Sequence, residues 1–224
     1  MNGYGDTLWE IALNAFPKLL YSAVMFTIPL TICGMVFGLL IGIVVAIARL
    51  VPNKAVNLPA RIYVSYIRGT PLLVQLYLIF YGLTSFGIYL KPLTAAIIGL
   101  SMAIGAYASE AIRGAIISIP KGQWEAAASI DLGFFKTYTR IILPQAIRVA
   151  TPGLSNVFIG LLKETSLVSV VLVPDMFRKA QEIVAYTFEP LLIYSLAGLI
   201  YWVIVLGMSK LQSMIERRFS RGYV

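Results

Sequence analysis

Long apolar runs dominate the chain, and their lengths predict its architecture. Five stretches are nearly free of charge, and each approaches the roughly 20 residues that a helix needs to cross the hydrocarbon core of a bilayer. They are residues 19–48, 62–83, 93–117, 149–173 and 190–209. Backbone polar groups cannot stay unpaired in lipid, so these stretches are predicted to be helices. The predicted fold class is all-α, a polytopic membrane bundle of five transmembrane helices.

The composition excludes a water-soluble protein. Of 224 residues, 59% are hydrophobic and only 12% are charged, whereas soluble domains carry about 25% charged residues. The sequence contains no histidine, which removes the commonest metal ligand and general base. The lone Cys33 lies in an apolar run and is interpreted as a packing residue. We therefore expect neither an enzyme nor a metal site.

The distribution of basic residues predicts the orientation in the membrane. Lysines and arginines are concentrated in the first and third connections and in the C-terminal tail, which a five-span layout places on one side. Because cytoplasmic loops are enriched in Lys and Arg, the N-terminus is expected outside and the C-terminus in the cytoplasm. The net charge of +8 then reflects topology, and nucleic-acid binding is not expected.

Residues 1–17 are predicted to form an amphipathic helix on the outer surface. Apolar residues recur there at helical spacing, at Leu8, Trp9, Ile11, Ala12, Ala15 and Phe16. The segment has no basic n-region and contains Asp6 and Glu10, so a cleavable signal peptide is not expected.

The third connection, residues 119–144, is predicted to contain a short docking helix. Pro120 suits the first turn of a helix, and Glu125 lies near its positive N-terminal end. We expect Gly133 to let the chain turn before a second short segment, which Pro144 ends. A helix that is too short and too charged to span a membrane is suited to binding in a groove of a partner.

This connection resembles the EAA loop of importer permeases in the ATP-binding-cassette (ABC) superfamily. It contains Glu125-Ala126-Ala127 and, further on, Ile141-Ile142-Leu143-Pro144, and Asp131 occupies the position where the family usually has glycine. The motifs at 68–75, 106–110 and 163–167 resemble the polar-amino-acid branch, and the runs at 122–130 and 154–159 are most similar to cystine-type permeases. Together the four motifs extend the resemblance over essentially the whole chain, as a single permease domain.

The resemblance implies a transport subunit of the bacterial cell membrane with several partners. Two permease chains, expected to be identical, would enclose the path, an ABC ATPase dimer would dock below, and an external solute-binding protein would deliver an amino acid. L-cystine is the first candidate substrate, with glutamine, histidine and arginine as alternatives. The EAA segment would be the coupling helix, with docking residues Gln123, Trp124, Glu125, Ala126, Ala127, Asp131 and Gly133. The sequence has no Gly-Lys pair for a phosphate-binding loop, so ATP and Mg²⁺ would be used by the ATPase partner and no cofactor by this chain.

Ionisable side chains within the spans are candidates for the substrate path, since each costs about 2.5–3.5 kcal/mol at bilayer depth. Glu110 and Arg113 can pair along one helix, whereas the adjacent Lys163 and Glu164 point about 100° apart and need other partners. The candidate path residues are Arg68, Gln75, Tyr107, Glu110, Lys163, Glu164, Thr165 and Ser166. The alternative for these charges is a purely structural role as pairs that hold the bundle together. The alternative function for the chain is a self-sufficient ion-coupled carrier.

Two glycine-containing patterns predict local geometry. Gly34, Gly38 and Gly42 repeat every four positions in the first span, a spacing that permits close helix packing. In the second span, Gly69 and Pro71 follow Arg68 and predict a weak point, either a moving gate or a static kink.

Overall fold

The computed structural model describes residues 7–220, except for the side chains of Ile215 and residues 217–220. This part of the chain is helical and contains no strand. The helices are α1 (Leu8–Ser22), α2 (Ile28–Leu50), α3 (Lys54–Gly69), α4 (Leu72–Phe80), α5 (Pro92–Ile117), α6 (Lys121–Ser129), α7 (Phe134–Thr137), α8 (Leu143–Glu164), α9 (Met176–Thr187) and α10 (Pro190–Ser220).

Four helical stretches are long and apolar enough to cross a membrane, and a bent pair of helices supplies a fifth. The four are Leu8–Leu50, Pro92–Ile117, Phe134–Val171 and Pro190–Met214. The fifth consists of α3 and α4, whose axes differ by 106°. The helical membrane bundle predicted from the sequence is thus confirmed, and the predicted weak point in the second span is a sharp bend.

The first span is one helix of 43 residues. It begins with a capping box, in which the Thr7 amide donates to Glu10 Oε2 at 2.8 Å and the Glu10 amide donates to Thr7 Oγ1 at 3.3 Å. A π-helical turn, Ala23–Thr27, joins α1 to α2 and accommodates Pro29, which lacks a backbone donor. The helix continues without a break at residue 17. The surface location of residues 1–17 stays a prediction, and residues 1–6 lie outside the described part.

The glycines of the first span pack directly against α5, as their spacing predicts. A Cβ atom on Gly38 would lie 2.6 Å from Ile104 Cβ, and one on Gly42 would lie 2.8 Å from Ala108 Cβ. The contact is reciprocal, because a Cβ atom on Gly105 of α5 would lie 2.5 Å from Ile41 Cγ2. Helix α5 is therefore in backbone-close contact with α2, and it also packs against α3, α4 and α8.

Helix α9 folds back against α1 and α10 and is fixed at its start by a buried carboxylate. Asp175 is fully buried and accepts hydrogen bonds from the amides of Phe177 at 3.1 Å and Arg178 at 3.0 Å. The Met176 amide donates to Thr27 Oγ1 at 3.2 Å. This polar contact ties the start of α9 to the π-helical turn of the first span.

Candidate functional site

A partly polar cavity of about 320 Å³ lies at the bend between α3 and α4. Its lining residues are Ile67, Arg68, Gly69, Thr70, Pro71, Leu72, Gln75, Ala103, Tyr107 and Glu164. The bend exists because α3 ends at Gly69 and α4 begins after Pro71, with Thr70 in extended backbone between them. Four of the eight predicted path residues, from four different helices, are thereby brought to one cavity.

Gln75 holds the bend in shape. It is buried, and its Nε2 donates to the Ile67 carbonyl at 2.8 Å and to the Thr70 carbonyl at 3.1 Å. These carbonyls lie at the end of α3, where backbone acceptors lack helical partners. Gln75 Oε1 is buried without a hydrogen-bond partner in the described part of the chain. This unpaired acceptor is therefore enclosed within the bend and is not accessible to solvent.

Arg68 lies on the cavity wall and belongs to a cluster of three arginines around one carboxylate. Glu110 contacts Arg49 at 2.8 Å, Arg113 at 3.1 Å and Arg68 at 3.3 Å. The Glu110–Arg113 pair follows the predicted spacing. Arg68 also lies over the ring of Tyr107, with its guanidinium carbon 5.4 Å from the centroid. Glu110 itself is not on the cavity lining, so it acts on the cavity through Arg68.

Arg49 is the member of this cluster that the sequence did not assign to the site. It directly follows the 30-residue uncharged run 19–48. As a basic residue of the first connection, it contributed only to the predicted orientation. In the structure only 12% of its side chain is exposed. An arginine that directly ends a long uncharged run could have signalled a partner inside the bundle, but no spacing rule links it to Glu110, 61 residues away.

The consecutive predicted path residues 163–166 are divided between two places. Glu164 faces the cavity at the bend, whereas Lys163 and Ser166 line a separate cavity of about 290 Å³ beside α9 and α10. This agrees with the expected divergence of neighbouring side chains on a helix. Thr165 is fully buried, and its Oγ1 donates to the Leu162 carbonyl at 2.7 Å. In residues 7–220 no cluster of acidic or cysteine side chains could hold a metal ion.

The predicted docking segment forms helix α6, and its EAA residues are mostly exposed. Gln123, Glu125 and Ala126 face solvent, whereas Ala127 is 1% exposed and anchors the helix. Trp124 is half-buried and stacks on Phe134 with the ring centroids 6.2 Å apart. Phe134 is itself 76% exposed. The segment thus exposes aromatic and polar side chains, while the buried Ala127 packs it against the rest of the protein.

The turn after α6 differs from the sequence prediction, which assigned it to Gly133. The residue in the left-handed region is Asp131, with φ of 54°, while Gly133 has φ of −55°. The Leu132 amide donates to the Ala127 carbonyl at 3.0 Å and the Asp131 amide to the Ala128 carbonyl at 2.9 Å. These two bonds define a Schellman motif, whose left-handed position favours glycine. Asp131 fits there because a short polar side chain tolerates this conformation better than most.

The second half of the connection also differs from the prediction, which had a short segment ending at Pro144. Instead, helix continues from Phe134 to Val171, and Pro144 lies in the first turn of α8. A π-helical turn, Tyr138–Ile142, precedes it. Such a turn alters the backbone pairing just where proline removes a donor, so proline does not end the helix.

Comparison with known proteins identifies the family to which this architecture belongs. A family model described as "Binding-protein-dependent transport system inner membrane component" matches residues 38–221. The L-cystine transport system permease protein TcyB of Bacillus subtilis (strain 168) is 47% identical, covering 95% of this chain and 92% of its own. The arginine ABC transporter permease protein ArtQ of Haemophilus influenzae is 35% identical, covering 92% and 97%.

A crystal structure of an amino acid ABC transporter with histidines superposes with a TM-score of 0.87 at 37% identity, covering 92% of this chain and 96% of that chain. Inward-facing structures of the MetNI methionine ABC transporter share the fold, with a TM-score of 0.69 at 17% identity. The family match spans most of the chain, and the relatives align over nearly their full lengths. The chain is therefore a multi-pass membrane protein and belongs to the inner-membrane permease components of binding-protein-dependent ABC transport systems.

Proposed function

We propose that this chain is the permease subunit of an ABC importer for a polar amino acid, with L-cystine as the first candidate. The similarity to an L-cystine permease over 95% of the chain supports this choice. The observation that carries the proposal is the cavity at the bend, because Arg68, Tyr107 and Glu164 from three different helices all line it.

The chemistry of the cavity suits a free amino acid. Such a ligand carries one carboxylate and one ammonium group, which pair with a guanidinium and a carboxylate respectively. Arg68 supplies the first partner and Glu164 the second. The volume of about 320 Å³ lies at the lower end of the range for small-molecule sites.

The arginine cluster biases this cavity toward the carboxylate end of a substrate. One carboxylate, Glu110, faces three guanidinium groups, so the cluster keeps a positive charge after pairing. Arg68 is its most exposed member, at 43%, and is free to exchange part of its contact with Glu110 for a ligand. Lys163, Thr165 and Ser166 lie away from this cavity, and we propose that any path role they have is indirect.

The proposal includes the partners and the orientation. Two identical chains enclose the path, with the N-terminus outside and the C-terminus in the cytoplasm, and an external solute-binding protein delivers the amino acid. An ABC ATPase dimer, which uses ATP and Mg²⁺, docks on α6. The exposed Glu125 beside the Trp124–Phe134 stack supports this docking role, because a charged and aromatic surface fits a specific protein groove.

Uptake into proteoliposomes tests the proposal. Permease, ATPase subunit and binding protein are reconstituted together, and labelled L-cystine is compared with glutamine, histidine and arginine. We expect ATP-dependent uptake with L-cystine preferred, a loss of at least tenfold in Glu164→Gln and Arg68→Gln, and full activity in the control Glu189→Gln. Uptake by the permease alone would instead establish the ion-coupled carrier, and unaltered uptake in both cavity variants would remove the cavity from the path.

A further inference from the structure

A second groove lies at the opposite end of α3, where the chain turns from α2 into α3. It has a volume of about 520 Å³, and its lining residues are Leu50, Val51, Pro52, Lys54, Asn57, Leu58 and Arg61. Asn57 fixes its shape, because Nδ2 donates to the Arg49 carbonyl at 2.6 Å and to the Val51 carbonyl at 3.4 Å. The groove is therefore a formed feature of the turn, separate from the cavity at the bend.

Two uncompensated cations face this groove. Lys54 and Arg61 are seven residues apart on α3, so they lie on the same side of the helix, and both are exposed. Neither forms an ion pair with a carboxylate of residues 7–220. The neighbouring Arg49 points elsewhere, to Glu110. The groove thus offers two cationic donors to a ligand from outside the chain.

An exposed apolar stripe continues from the groove along α3. Leu58 is 57% exposed, Ile62 59% and Tyr66 53%. They recur every four residues and cover about 12 Å of helix length. The other side of α3 is packed in the protein, with Ala60, Val64 and Ile67 buried. The stripe has the length and the surface to lie beside an acyl chain.

We propose that this groove is a binding site for an anionic phospholipid. The phosphate accepts from Lys54 and Arg61, and one acyl chain lies on the stripe from Leu58 to Tyr66. Basic pockets beside membrane helices bind anionic headgroups, and each nearby basic residue contributes about fivefold in affinity. A zwitterionic lipid carries its own ammonium group, which the two cations repel. A second copy of this chain is the alternative occupant, and the quenching experiment below distinguishes it from a lipid.

Native mass spectrometry of the purified permease–ATPase complex tests the headgroup contact. Phosphatidylglycerol and phosphatidylcholine with the same acyl chains are titrated separately. We expect phosphatidylglycerol to bind more tightly, and the double variant Lys54→Gln/Arg61→Gln to lose about 25-fold of that affinity with phosphatidylcholine unaffected. The control Lys91→Gln, at the start of α5, retains wild-type binding. Equal affinity for the two lipids, or an equal loss in the control, overturns the proposal.

Two further arms separate the lipid from other occupants. Glycerol phosphate, which lacks acyl chains, is expected to bind at least tenfold more weakly than phosphatidylglycerol, and equal binding would make the site one for soluble phosphate. A fluorophore on Ile62→Cys in a Cys33→Ser background is expected to be quenched by brominated phosphatidylglycerol. Protection of this fluorophore from the lipid would show that a second chain covers the stripe and would overturn the proposal.

Discussion

Substituting Gly38 by alanine tests the close contact between α2 and α5. The added Cβ atom would lie 2.6 Å from both Cβ and Cγ2 of Ile104 and 3.1 Å from the Ser101 carbonyl oxygen. Ordinary carbon–carbon contacts lie at about 3.5–4.0 Å, so the helices must separate by roughly 1 Å. Ile104 Cβ is attached to the backbone and cannot rotate away. We therefore expect this steric clash to lower the free energy of unfolding by an amount near the upper end of the roughly 1–3 kcal/mol typical of overpacking.

The substitution also has a favourable component, which a control isolates. Alanine is about 1 kcal/mol better than glycine within a helix, so the net destabilisation by Gly38→Ala is about 2 kcal/mol. Gly207 lies within α10 with no other atom within 4 Å of its added Cβ. Gly207→Ala therefore receives only the favourable component and is expected to be neutral or stabilising.

Thermal unfolding of the detergent-solubilised protein measures both variants. A loss of about 2 kcal/mol corresponds to a fall in Tm of about 4–8 °C for a chain of this size. We expect this fall for Gly38→Ala and none for Gly207→Ala. A Gly38→Ala variant as stable as the wild type would refute the close approach of the two helices, whereas equal falls in both variants would show that glycine flexibility matters rather than packing.

Further substitutions test four other parts of the structure. Glu110→Gln leaves three arginines without their carboxylate and is expected to lower the free energy of unfolding by about 3 kcal/mol, measured by denaturant titration, and Arg113→Gln by less. Asp131→Gly relieves a left-handed backbone and should raise the unfolding free energy by about 1 kcal/mol, while Asp131→Val should lower it; no difference between the two would contradict the assigned φ. Asp175→Ala removes a helix cap and should cost about 1 kcal/mol in thermal unfolding, whereas Asp175→Asn retains the cap. Glu125→Lys is expected to leave membrane insertion intact but to abolish ATP-driven uptake and ATPase co-purification, and normal co-purification would refute the docking role.

The features that follow from local sequence were predictable. Runs of apolar residues set the span lengths and predicted the helical bundle. Residue spacing along a helix predicted the packing of Gly34, Gly38 and Gly42 and the Glu110–Arg113 pair. The bend between α3 and α4 was likewise signalled by Gly69 and Pro71, because both residues weaken a helix locally.

The features that depend on tertiary contact were not predictable. Arg49 joins Glu110 across 61 residues, and no spacing rule connects residues on different helices. Asp131 occupies the left-handed position because α6 ends in a Schellman motif, while glycine propensity pointed to Gly133. Pro144 was expected to end a helix, but the preceding π-helical turn lets the helix continue. The divergence of Lys163 and Glu164 followed from helix geometry, but which cavity each of them lines depends on tertiary structure.

The continuity of the helix through Pro144 has a mechanical consequence. From Phe134 to Glu164 the chain forms an uninterrupted rod about 45 Å long at 1.5 Å per residue. One end is the exposed aromatic ring stacked on Trp124, and the other is a carboxylate on the wall of the cavity at the bend. We expect a displacement of the aromatic end to reach the cavity wall along this one helix, which contains a π-helical turn but no break. Shortening or kinking this rod would disconnect the two ends while leaving each intact.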